Sequence, residues 1–298
     1  MQKIIIIGSS NMDITARVRT LPRPGETIGG GRLSQAGGGK GANQAIAAAR
    51  LGADVTFVTC VGDDDSGKWM TRNFETDGMD VSKVKISSSP TGTALIFVDD
   101  NAENCIAVAP GANEDLLPED MDNVKDCIAR SSFMLLQLEI PVRTVCRAME
   151  LASEAGVKIV LNPAPMTAIP EEMFSRIYII SPNETEAEAL TGIHIENEAD
   201  ARKAAEVLMG KGVTNVIVTM GSAGSLVCTP DATEFVPAQK VKAVDTTAAG
   251  DVYNGALVAA LAEGKSILEA AAFATKASGI AVTRMGAQTS APYRKEIL

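Results

Sequence analysis

An aspartate that enters a helix behind three small residues is the part of this sequence best suited to chemistry. The stretch reads Val244-Asp245-Thr246-Thr247-Ala248-Ala249-Gly250-Asp251, and Tyr253-Asn254-Gly255-Ala256-Leu257-Val258 continues it in a helical pattern. Ala248, Ala249 and Gly250 let the backbone turn tightly. The helix that follows leaves its first N–H groups unpaired and aimed at that turn, which makes an anion site. A carboxylate at Asp251 would sit beside the bound phosphoryl group and accept the proton of an attacking hydroxyl. A plain helix cap uses aspartate in the same place; the second acid at Asp245 and the all-small approach favour chemistry.

Four further segments carry polar groups at positions where ligands bind. Gly37-Gly38-Gly39-Lys40-Gly41-Ala42-Asn43 opens a helix, with Lys40 and Asn43 as donors for hydroxyls. It is not a Walker loop, because Ser34 and Gly41 stand where that pattern needs glycine and Ser or Thr. It fits G-x-G-x-x-A, but Gly31–Ala36 before it does not read as the buried strand a dinucleotide fold requires. Gly8-Ser9-Ser10-Asn11-Met12-Asp13 follows the apolar run Ile4–Ile7, so Asn11 and Asp13 lie past the C-terminal end of a strand, where α/β sheets bind ligands. They suit adjacent sugar hydroxyls, and equally a turn built on Asn and Asp. In Ser181-Pro182-Asn183-Glu184-Thr185-Glu186, Asn183 and Glu186 share a helix face and could order waters around Mg²⁺; a capping box has the same spacing. Thr219-Met220-Gly221-Ser222-Ala223-Gly224 is a strand-to-turn segment able to line a nucleotide, and Glu139 ends another strand as a possible hydroxyl acceptor.

Composition removes most competing chemistries. The 298 residues include one histidine, His194, so clustered-imidazole metal sites are excluded, and a hydrolase triad would depend on a residue that reads as a solvated loop. Proton transfer falls to a carboxylate. A net charge of -10 argues against a nucleic-acid surface. Five cysteines without a C-x-x-C pair point to a reduced, cytoplasmic protein, and neither an export signal nor a membrane-length apolar run is present. With 46% hydrophobic residues, the chain has material for a large core.

The elements that position these groups alternate in type. Apolar runs at Ile4–Ile7, Val55–Thr59, Phe133–Leu136, Lys158–Leu161, Ile177–Ile180 and Val216–Thr219 read as strands. Helical patterns lie between them and beyond, at Gly41–Leu51, Ser66–Asp77, Val142–Ala155, Ala199–Lys211, Asp251–Ala262 and Ile267–Thr283. This is the rhythm of an α/β, Rossmann-like three-layer sandwich around a mostly parallel sheet, in a single domain over residues 1–298. Two segments, about 13–36 and 92–110, break the rhythm with antiparallel alternation and predict a small β-sheet lid. An edge that apolar calls for a partner, and a homodimer through the lid is expected.

In this order the motifs resemble the ribokinase-like carbohydrate kinase family over essentially the whole chain. The resemblance rests on the glycine-lysine loop near residue 40, Asn-Pro-Ala-Pro at 162–165, Pro-Asn-Glu-Thr-Glu-Ala-Glu at 182–188 and the stretch from Asp245 to Gly255. It implies ATP-dependent phosphorylation of D-ribose at its 5-hydroxyl with Mg²⁺ and an activating K⁺ ion. By matching position, it implies sugar contacts at Asn11, Asp13, Gly39, Lys40, Asn43 and Glu139, the base at Asp251, and an anion hole at Ala248, Ala249 and Gly250. It further implies nucleotide contacts at Asn183, Thr219, Met220, Gly221, Ser222, Ala223, Gly224 and Thr275, with Glu186 near Mg²⁺ through water. The K⁺ loop would comprise Asp245, Thr247, Ala281, Arg284, Gly286 and Ser290. Two departures stand out: Val252-Tyr253 replaces the family's usual Thr-Phe, and Thr275 replaces a larger neighbour of adenine. A kinase for deoxyribose, fructose or adenosine, or a non-catalytic sugar or nucleotide sensor, are the alternatives.

Overall fold

The computed structural model describes residues 2–101 and 103–297. In chain order the elements are β1 (Lys3–Ile7), β2 (Asn11–Arg17), β3 (Arg32–Gly38), α1 (Lys40–Arg50), β4 (Asp54–Gly62), α2 (Asp65–Thr76), β5 (Val84–Ser87), β6 (Gly92–Val98) and β7 (Asn104–Ala109). There follow α3 (Pro118–Ala129), β8 (Phe133–Leu136), α4 (Val142–Glu154), β9 (Lys158–Leu161), β10 (Ile177–Ile180), α5 (Glu184–Thr191), α6 (Glu198–Gly210) and β11 (Asn215–Thr219). The hairpin β12 (Gly224–Cys228) and β13 (Thr233–Pro237) leads to α7 (Ala249–Ala262) and α8 (Ile267–Ala281).

Nine strands form the main sheet in the order β13-β12-β11-β10-β9-β8-β1-β4-β5. Strands β5 through β11 along that row run parallel, and only β12 and β13 at one edge are antiparallel. Buried parallel strands are apolar on both faces, which is why β1 is an unbroken isoleucine run. Ile4 and Ile6 enter the core layer under α1, α7 and α8, while Ile5 and Ile7 enter the layer under α3, α4 and α6. The three-layer architecture expected from the alternating pattern is the one observed. From Asp251 to Ala262, α7 is buried on every side, so it carries no polar stripe.

The second sheet has four strands, ordered β3-β2-β6-β7. Its β2 pairs antiparallel with β3, parallel with β6, and β6 pairs antiparallel with β7. Between β2 and β3 lies a long connection in which Glu26 N donates to the Arg23 carbonyl, and β3 begins only at Arg32. Residues Arg32–Ala36 form an antiparallel strand of the small sheet, within the segment 13–36 where antiparallel alternation was expected. That strand is a solvent-exposed edge of the small sheet, not the buried strand a dinucleotide fold requires.

Candidate active site

The loops that leave the carboxyl ends of the parallel strands converge on one side of the main sheet. Ser9–Asn11 follow β1, Gln137–Glu139 follow β8, Asn162 follows β9, Ser181–Asn183 follow β10 and Thr219 ends β11. Among the described residues, a cleft of about 180 Å³ opens there between Lys40, Asn162, Asn183, Glu186, Thr219 and the turn Ala248–Asp251. A larger hollow of about 380 Å³ lies at the opposite ends of β10 and β11, lined by Tyr178, Thr214 and Asn215, away from every predicted site residue.

Ala248 has φ 59° and is the one non-glycine residue with positive φ among those described. Its left-handed conformation, unfavourable for a residue with a Cβ, turns the chain into α7. The N–H of Ala249 is already bonded to the Thr246 carbonyl at 3.2 Å. The N–H groups of Gly250 and Asp251, in the first turn of α7, lack intrahelical acceptors and remain for an anion.

Asp251 is buried, and each of its carboxylate oxygens accepts one amide N–H. Asn43 Nδ2 reaches Oδ2 at 2.9 Å, and Gln44 Nε2 reaches Oδ1 at 2.9 Å. Burial pushes its pKa up, and Lys40 with the two amides pulls the other way. The helix-cap reading does not hold, because the cap position is Ala248 and the Asp251 carboxylate reaches across to α1.

Asp13 lies within electrostatic reach of this acid. Its pKa rises to about 6, first through burial and then through the charges of Glu139 and Asp251. Its carboxylate lies against Gly38, where a Cβ would come within 2.2 Å of Oδ2. Gly39 has φ 87° and packs on the backbone of Ser9, Ser10 and Asn11, a position that excludes any side chain. Glu139 Oε2 accepts from the Lys40 N–H at 2.9 Å and from Ser9 Oγ at 2.6 Å, which anchors the start of α1. Asn11 Oδ1 accepts from Asn113 Nδ2 at 2.7 Å.

The Asn183–Glu186 pair makes the reciprocal bonds of a capping box, Glu186 N to Asn183 Oδ1 at 2.8 Å and Asn183 N to Glu186 Oε2 at 3.0 Å. Both residues also line the cleft. Burial raises the Glu186 pKa against the pull of its bond to Asn183 and of Lys40. One carboxylate with a single oxygen engaged fits Mg²⁺, which keeps most of its water when it meets few protein ligands.

Of the segment Thr219–Gly224, only Thr219 lines this cleft; Met220 is buried, and Gly221–Ala223 form an exposed turn. Thr275 does not line it either. It is buried in α8, and its hydroxyl donates to the Ala271 carbonyl at 2.9 Å. The hydroxyl of Tyr253, absent from the family's usual phenylalanine, is satisfied by Ser225 Oγ at 2.9 Å.

Asp245 accepts from Thr247 N and Gly286 N, both at 2.9 Å, which ties together two of the loops expected to hold K⁺. Burial works against its charge, but these bonds hold its pKa below the usual carboxylate range. Arg284 donates its N–H to the Ala281 carbonyl and pairs its guanidinium with Glu296, while Ser290 Oγ donates to the Ala287 carbonyl.

Sequence reasoning missed Asn113, Gln44 and Ser9. Asn113 is buried and bonds Ser10 and Asn11, fixing the loop after β1. Gln44 had a readable signal, a second amide beside Asn43 in a helix otherwise lined with alanine and isoleucine.

A buried carboxylate at the start of a helix, beside free N–H groups, defines with this fold a phosphotransferase acting on a hydroxyl. The pfkB family carbohydrate kinase pattern matches residues 1–294, and the chain belongs to that family. The ribokinase of Haemophilus influenzae is 44% identical over 296 residues, covering 99% of this chain and 97% of that protein. The crystal structure of Thermotoga maritima ribokinase superposes with a TM-score of 0.92 at 40% identity, over 100% of this chain and 98% of its own. Arabidopsis thaliana ribokinase, complexed with ribose and ATP, gives 0.94 at 33% identity, over 99% and 97%.

Proposed function

We propose that this enzyme transfers the γ-phosphoryl group of ATP to the 5-hydroxyl of D-ribose, giving D-ribose 5-phosphate and ADP, with Asp251 as general base. The supporting observation is the buried Asp251 carboxylate, held by two amides beside the Ala248–Gly250 turn. Ribose and ATP enter on the full-length likeness to ribokinases.

In this reading Asn11, Asp13, Lys40, Asn43 and Glu139 orient the sugar under the small sheet, which acts as a lid and excludes water. Asp251 accepts the proton of the 5-hydroxyl as that oxygen forms its bond to phosphorus and the β–γ bridging oxygen leaves with ADP. The N–H groups of Gly250 and Asp251 take up charge on the transferring group. Mg²⁺, held through water by Glu186, would supply charge neutralisation on the phosphates. K⁺ among Asp245, Thr247, Ala281, Arg284, Gly286 and Ser290 would brace the loops at the start of α7 from behind.

The small sheet also supports a homodimer. Leu33, Leu95 and Phe97 on one of its faces, and Ile106 and Val108 on the other, are exposed at 69%, 46%, 38%, 54% and 56%. All of edge strand β7 is open to solvent. Cys60, Cys105, Cys127, Cys146 and Cys228 are free thiols, which suits the cytoplasm. Among the described residues, no helix is long and apolar enough to cross a membrane.

Release of ADP, measured over ribose, deoxyribose, fructose and adenosine, tests the substrate. Asp251→Asn is expected to lower kcat by at least about 10²-fold while ribose still binds. Turnover near that of the parent would remove Asp251 from the role.

A further inference from the structure

Gln44 is fully buried, one residue beyond Asn43, among Ala45, Ile46, Ala47 and Ala48 of α1. A buried amide in such surroundings is costly unless each polar atom is paired. Its Nε2 donates to Asp251 Oδ1 at 2.9 Å and to Asn162 Oδ1 at 3.0 Å, and its Oε1 accepts from Gln137 Nε2 at 2.6 Å.

The direction of this chain is set outside the cleft. Asn162 Nδ2 donates to the Ser181 carbonyl at 3.1 Å. A carbonyl only accepts, so Asn162 must turn its oxygen toward Gln44, and Gln44 must answer with its NH₂ end. That end has two hydrogens, and the second meets Asp251. The amide therefore faces the carboxylate as a donor and favours its ionised form. Ser181 also anchors the other half of the site. Its Oγ donates to Asn254 Oδ1 at 2.5 Å, and Asn254 Nδ2 donates to the Gly250 carbonyl at 2.8 Å.

We propose that Gln44 is the positioning residue of Asp251: its amide, oriented from the sheet through Ser181 and Asn162, fixes the plane of the carboxylate and keeps a lone pair open to the substrate hydroxyl. It acts through Asp251 and rests on the reading of that residue as the base. Because the anchor is shared with Gly250, the base and the anion-binding turn are held in register by one connected set of amides.

The test is the pH dependence of kcat and kcat/KM for ribose in Gln44→Glu, with Asp251→Asn assayed in parallel. Gln44→Glu keeps the shape but sets a second carboxyl against Asp251, so the pair resists ionising together. The acid limb of the profile should move up by about one pH unit or more, and kcat at neutral pH should fall about 10- to 100-fold. KM for ATP should stay within about threefold, and raising the pH should restore only part of the rate, because ionising the pair returns the charge of the base but not the donor that orients it. Should Gln44→Glu not accumulate as folded protein, Gln44→Met takes its place, uncharged and of similar volume; loss of the donor alone must still raise the acid limb. An acid limb unmoved in the folded variant overturns the proposal, whatever the change in kcat. A profile unmoved beside an inactive Asp251→Asn removes only Gln44, whereas an active Asp251→Asn removes the base reading itself.

Discussion

Gly255 offers a test of how finely the distance between α1 and α7 is set. It lies four residues beyond Asp251 and so shares its face of α7. A Cβ built there would meet the Gln44 carbonyl oxygen at 2.5 Å, Ala47 Cβ at 2.7 Å and Ala48 N at 3.0 Å. Two of these are backbone atoms of a helix and cannot rotate away. Ordinary contact begins at 3.4 Å, so Gly255→Ala requires the helices to part by 3.4 − 2.5, or about 0.9 Å. If α7 moves as a unit, the bonds from Asn43 and Gln44 to Asp251 stretch from 2.9 Å to about 3.8 Å, beyond hydrogen-bonding range.

The energies set the expected sign. Alanine gains about 1 kcal/mol over glycine in a helix interior. Overpacking costs about 1–3 kcal/mol, and each weakened bond to the buried carboxylate adds about 1.5–3 kcal/mol. The loss outweighs the gain, and a drop in Tm of several degrees follows for a chain of this size. A displacement near 1 Å at a reacting group is worth about 10²-fold in rate, so kcat should fall on that scale while KM for ATP changes little. Steady-state kinetics and a thermal melt decide the matter. A variant with parental kcat and a raised Tm would mean that propensity alone acts and that the close approach does not position the base.

Two further outcomes follow from the site and the small sheet. Asp13, raised to about 6 from 3.8, binds a proton more tightly folded than unfolded. Its burial therefore opposes folding above pH 6, and that opposition is relieved as the pH falls from 6 toward 4, up to about 3 kcal/mol for the full shift. Asp13→Asn should raise Tm near neutral pH yet weaken ribose binding at least about tenfold, because a charged acceptor is lost. In the parent, calorimetric affinity for ribose should decline as the pH falls through 6, and a flat profile from pH 5 to 8 would exclude Asp13 as an ionised sugar acceptor. For the lid, Leu95→Glu and Ile106→Glu charge opposite faces; at least one should convert a dimer to a monomer by sedimentation, and a dimer that survives both is not built on this sheet.

The strands were legible in the sequence because their physics is local. Phe133–Leu136, Lys158–Leu161 and Ile177–Ile180 coincide with β8, β9 and β10, since a parallel strand buried on both faces must be apolar throughout. Elements that are half solvated were harder to see: α3 offers only Met121, Val124 and Ile128 to the core, and β5 is a four-residue edge. The polar residues divide in the same way. Asp251, Asn43, Asn183 and Glu186 sit beside glycine, proline or a helix start, and each has a signature in its own neighbourhood. Gln137 and Asn113 have none, and Gln44 shows only an amide beside Asn43, because the bonds that give them a role span 93 residues to Gln44, 102 to Asn11 and 207 to Asp251. A single buried amide reads as an isolated cost until folding supplies the group that satisfies it. For that reason the acid proposed as the base could be named from the sequence, whereas the chain of amides linked to its carboxylate emerges only when β8, β9 and α1 are brought side by side.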